Sequence, residues 1–68
     1  MNEEVFNLSV RKFLKSFGVN GQREIEQAVA RAIAGGTIAG TKPLPAKATL
    51  EVPDLKLRFE LEGEIALQ

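Results

Sequence analysis

From Val5 to Phe17 the apolar residues fall at helical spacing. Phe6, Val10, Phe13, Leu14 and Phe17 follow steps of three and four, and Val5 and Leu8 widen the stripe. The pattern predicts an amphipathic helix. Asn2 is placed to cap it, Glu3 and Glu4 lie at the end of the helix dipole that favours anions, and Lys12 and Lys15 lie toward the other end. Gly18 suits the left-handed residue that closes such a helix. A second helix is predicted to follow, with Ile25, Ala28, Val29, Ala32 and Ile33 on one face and Arg23, Glu24, Glu26, Gln27 and Arg31 around the rest. Asn20 or Gly21 is its expected cap, Glu24 is in reach for reciprocal capping from Gly21, and Gly35 and Gly36 end it. The small side chains of Ala28 and Ala32 let the Phe-rich helix approach, so the sequence predicts a helical hairpin over residues 2–35.

Residues 36–45 show neither a helical nor a strand period and carry Pro43 and Pro45. They read as an extended connector whose apolar Ile38 and Leu44 hold it against the core surface. From Ala46 onward the period becomes two. Ala46, Ala48, Leu50 and Val52 alternate with Lys47, Thr49 and Glu51; after Pro53 and Asp54, Leu55, Leu57, Phe59 and Leu61 alternate with Lys56, Arg58, Glu60 and Glu62. This predicts a β-hairpin over 46–67 with one apolar and one charged face. A two-residue loop pairs Glu51 with Lys56 and Lys47 with Glu60. A four-residue loop pairs Glu51 with Arg58 and Lys47 with Glu62, so charge supports both registers, while Pro53-Asp54 in a type I turn favours the longer loop.

Glu62-Gly63 resembles a tight turn, but a turn there points Ile65 and Leu67 at the charged face. Leu57, Phe59, Leu61, Ile65 and Leu67 share one parity, so a single strand running through Gly63 is expected. Such a strand outruns its partner and leaves an apolar overhang in need of cover.

The segments N-E-E-V-F-N-L-S-V-R-K-F-L-K, G-V-N-G-Q-R-E-I-E-Q-A-V, L-P-A-K-A-T-L and E-G-E-I resemble those of a small bacterial family of uncharacterised short proteins, a domain of unknown function. The resemblance covers nearly the whole chain and rests on capping, core and turn patterns. It implies a stand-alone bacterial domain and carries no activity and no site residue with it.

Composition narrows the chemistry. The 68 residues hold no Cys and no His, which removes disulfides and the usual structural metal sites as braces for a small single domain. Nine Lys and Arg balance nine Asp and Glu, so no net field draws in nucleic acid or anionic membrane. No apolar run is long enough to cross a bilayer and Asn2, Glu3 and Glu4 are not the basic start of a signal peptide, from which a cytoplasmic location is expected. Catalysis needs a base beside a nucleophile, and Ser9 and Ser16, seven apart on the first helix, have no such neighbour. Glu60, Glu62 and Glu64 could gather on one strand face, yet no loop supplies further oxygens for a cation. Gly35, Gly36 and Gly40 follow a helix and do not lead into one, so they make no phosphate cradle. No catalytic residue, cofactor or metal is therefore expected, and the chain is read as a non-enzymatic protein.

Two functional readings follow. In the first, an α+β domain ordered helix, helix, strand, strand packs both helices on the apolar face of the hairpin, leaves that face and the strand edge incompletely covered, and is completed by forming a homodimer, with Phe59, Leu61, Ile65 and Leu67 at the interface. Either the last strands pair across a two-fold axis or the apolar faces share a core. A different protein partner for the same face is open on the sequence. In the second, Phe13 to Val19 and a following helix bearing Gln22, Arg23, Gln27 and Arg31 form a degenerate helix-turn-helix, with the hairpin as a wing. Glu24 and Glu26 beside those arginines, and the neutral charge balance, argue against nucleic acid.

Overall fold

The computed structural model describes residues 1–68 and contains one helix where the sequence predicts two. Helix α1 runs without interruption over Glu3–Ala34, a span of about 48 Å at 1.5 Å per residue. Its start is as expected: the Asn2 side chain accepts from the Glu4 and Val5 backbone N–H groups at 3.0 and 3.1 Å, and Glu3 and Glu4 occupy the first turn. Its end is also as expected, at Gly35, followed by Gly36 with φ of 74°.

The helical hairpin over 2–35 is thereby overturned, because nothing turns at Gly18. A closing glycine there would need a left-handed backbone, and the glycines with positive φ are Gly36 and Gly40. Carrying a helix through Gly18 and Gly21 costs about 1 kcal/mol each relative to alanine. Breaking it strands the last carbonyls of one segment and the first N–H groups of the next, each needing a new partner. Asn20 supports continuity: its side-chain amide donates to the Ser16 carbonyl at 2.7 Å and to Ser16 Oγ at 3.2 Å, one turn back. The apolar stripe is also in phase across the expected break. Val10, Leu14, Phe17, Gly21, Ile25, Ala28 and Ala32 follow one another by four, three, four, four, three and four residues.

Strands β1 (Leu44–Val52) and β2 (Leu57–Ile65) form a two-stranded antiparallel sheet. Between them Pro53–Leu55 makes one 3-10 turn, and Lys56, with φ of 53°, reverses the chain in the left-handed region. This is the four-residue loop, pairing Glu51 with Arg58 and Lys47 with Glu62. Strand β2 passes straight through Gly63, as the shared parity of its apolar residues requires.

Two boundaries differ from those expected. Leu44 and Pro45 belong to β1 and not to the connector, and β2 ends at Ile65, leaving Leu67 outside it. Leu44 pairs with Ile65, so the expected overhang does not exist. Proline is compatible with this position because β1 is an edge strand, where a missing N–H breaks no second ladder.

The chain divides into two compact units, Met1–Ile38 and Ala39–Gln68. The first is the helix and its C-terminal turn; the second is the hairpin. No side chain of either unit is buried.

Candidate functional site

Neither unit has a core of its own, so the candidate surfaces are its two apolar faces and the charged face of the hairpin. Within its own unit α1 has no second element to bury its stripe against, and Phe17, at its centre, is 52% exposed. Val29 and Ala32 are only partly covered.

On the hairpin the apolar face is built by cross-strand pairs. Leu44 faces Ile65, Ala46 faces Gly63, Ala48 faces Leu61, Leu50 faces Phe59 and Val52 faces Leu57. Of the residues the sequence assigns to an interface, Phe59, Leu61 and Ile65 lie together on this face. Phe59 and Leu61 are 51% and 62% exposed, and Ile65 is partly covered. Leu67, partly covered as well, lies beyond β2 and has no strand partner.

The opposite face carries a charge ladder. Arg58 donates to Glu60 Oε1 at 3.0 Å through Nη2 and at 3.1 Å through Nε, and its Nη1 reaches Glu51 Oε1 at 3.4 Å. Lys47 Nζ lies 3.6 Å from Glu60 Oε2. These side chains remain 39–63% exposed, so the pairs contribute little stability apiece; Lys47 with Glu60 and Arg58 with Glu51 bridge the two strands, and Arg58 with Glu60 lies along β2. Glu62 faces Lys47 across the ladder and Glu64 faces Pro45. The three glutamates are thus spread along a strand, Glu60 and Glu62 beside cations and Glu64 opposite a proline, and no group of three or more acidic, His or Cys side chains is arranged to hold a metal ion.

The residues of the nucleic-acid reading fall on α1 without the turn that reading needs. Arg23, Gln27 and Arg31 are four apart and share one side of the helix. Gln22 is on another side, and its amide donates to Glu26 at 3.3 Å. Ser16 is occupied by Asn20. No helix is long and apolar enough to cross a membrane.

The free edge of β1 escaped the sequence reading. Its signal was available: Lys47 and Glu51 stand at equal distance on either side of Thr49, inside a stretch framed by Pro45 and Pro53.

A family model, that of a family of unknown function (DUF6494), matches residues 1–68. No curated protein and no solved structure matches the chain.

Proposed function

We propose that this chain, which belongs to the DUF6494 family of unknown function, works in the bacterial cytoplasm as a small self-associating interaction module and not as an enzyme. The observation that carries this reading is that no side chain is buried in either unit. Ordering a residue's backbone costs about 1–2 kcal/mol, and burial of apolar surface is the dominant force that offsets it. A helix gains most of its stability from packing an amphipathic face, and an isolated two-stranded hairpin is marginal in water. Both elements therefore need apolar cover from outside themselves. A second copy supplies it at no cost in new sequence, and closed two-fold dimers are the commonest oligomers.

Phe59, Leu61 and Ile65, with Leu67 following, form the hairpin surface to be covered. The side-chain inventory, lacking imidazole and thiol, supports the non-enzymatic part of the reading. The test is thermal unfolding across a hundred-fold range of protein concentration. An associating protein unfolds at a midpoint that rises with concentration. A cooperative midpoint that stays fixed over that range would remove the proposal.

A further inference from the structure

The geometry points to the outer edge of β1 as the surface on which a second copy docks, in an antiparallel register centred on Thr49. The result is a four-stranded sheet ordered β2, β1, β1 of the second copy, β2 of the second copy. This rests on the self-association proposed above and names an edge and register along which the copies join; Phe59, Leu61 and Ile65 stay on the outer strands.

Unpaired backbone groups line this edge. The sheet has two strands, so each is paired on one side only. Pro45 stands opposite Glu64 and has no N–H to give it. A proline fits an antiparallel pair where its N–H would have pointed outward. By alternation Lys47, Thr49 and Glu51 then also direct their N–H and C=O groups to the free edge. Centring the two-fold axis on Thr49 sets Thr49 against Thr49, and Lys47 of each copy against Glu51 of the other. Every one of these outward donors and acceptors is then paired. A shift of two residues in either direction brings Pro45 or Pro53 into the ladder and loses donors. A shift of one residue sets the apolar face of one copy beside the charged face of the other.

Charge selects the same register. Within the hairpin Glu51 faces Arg58 and Lys47 faces Glu62. In the docked register each outer row of the charged face reads Arg58, Glu51, then Lys47 and Glu62 of the second copy, with signs alternating across all four strands. The edge of β2 fits less well. It carries Glu60, Glu62 and Glu64 against the single Arg58, so any two-fold register centred on residues 60–62 sets glutamate beside glutamate, and the register centred on Phe59, which sets Arg58 against Glu60, pairs only residues 57–61 of a strand that runs to Ile65.

Side-chain volume agrees on the other face. Across the new seam Ala48 meets Leu50 and Ala46 meets Val52, small against large in both pairs. The apolar faces of the two hairpins become one continuous surface, a larger face for another layer to pack on.

The experiment uses two full-length charge reversals, Lys47→Glu and Glu51→Lys, measured alone, mixed, and beside the unaltered protein by native mass spectrometry. Each reversal alone sets like charges together twice across the seam and is expected to associate about ten-fold more weakly than the parent. Mixed, they restore opposite charges at both positions and form a one-to-one dimer in preference to either homodimer. A parent that dimerises while the reversals also dimerise, with no preference on mixing, overturns the β1 edge and leaves self-association standing. A monomeric parent removes both.

Since each reversal also meets Glu60 or Arg58 in its own hairpin, a second variant keeps the test decisive. Thr49→Cys introduces the sole thiol of a chain that has no cysteine. Across the axis the two Cα atoms sit about 5.5 Å apart, within disulfide reach. Mild oxidation is expected to link Thr49→Cys into dimers and to leave Glu60→Cys, opposite it on β2, unlinked. Faster linking of Glu60→Cys contradicts the register.

Discussion

Gly18→Ala separates a continuous helix from a broken one by the sign of its effect. In α1 a Cβ added at Gly18 meets nothing within 4 Å. The backbone there is right-handed, since the positive-φ glycines are Gly36 and Gly40. Alanine therefore brings no clash, restricts the unfolded chain and gains the helix-interior difference between the two residues, about 0.8–1.0 kcal/mol. For a chain of 68 residues this is a rise of roughly 4–8 °C in the unfolding midpoint. Circular dichroism at 222 nm during a thermal ramp reads both the midpoint and the helix content, which is expected to rise slightly. If Gly18 instead closed a first helix in the left-handed region, alanine would cost about 1 kcal/mol and the midpoint would fall by a similar amount. A fall would refute the single helix. Gly36→Ala is the internal contrast: with φ of 74° it is expected to destabilise although space is open around it.

Three further outcomes follow from local geometry. Asn2→Ala removes the acceptor of two first-turn N–H groups and is expected to cost about 1 kcal/mol, read as lost protection of the Glu4 and Val5 amides by NMR; unchanged protection would contradict the cap. Lys56→Gly relieves a left-handed lysine with φ of 53° and is expected to stabilise the hairpin by up to about 1 kcal/mol, seen as a higher midpoint; a lower one would show that Lys56 does more than turn the chain. Arg58→Ala deletes the pairs with Glu60 and Glu51, which are exposed and hence worth about 1 kcal/mol or less together. A loss that does not shrink in high salt would mean these charges act through something other than Coulomb attraction.

The hairpin was legible in the sequence almost completely. Period-two alternation fixed its faces, parity carried β2 through Gly63, and Pro53-Asp54 favoured the loop that forms. The helix was legible at its ends, where Asn2 and Gly35-Gly36 act locally, and misleading in its middle. Gly18-Val19-Asn20-Gly21 has the residue types of a stop and a start, and a reading of punctuation alone breaks the helix there. The deciding information is distributed: Phe17, Gly21 and Ile25 keep one stripe in phase, and the unbroken ladder avoids the cost of eight stranded backbone groups. Leu44 and Pro45 were missed because two prolines obscured the alternation, although an edge strand accepts a proline.

The candidate site was half legible. Phe59, Leu61 and Ile65 share the apolar face because period two puts them there, whereas Leu67 was counted with a strand that stops before it. Strand β2 has no overhang, because Leu44 pairs with Ile65. Without one, the reason to seek pairing along β2 is gone. The edge of β1 became visible only when the register showed which rows its charges complete.

Sedimentation equilibrium at micromolar concentration decides whether the chain self-associates, because it weighs the folded species without a probe or a substitution. Two elements that bury no side chain of their own should be found as a species of twice the 7.4 kDa chain mass. A mass of 7.4 kDa for a species that still unfolds cooperatively would mean that one chain folds without a second copy.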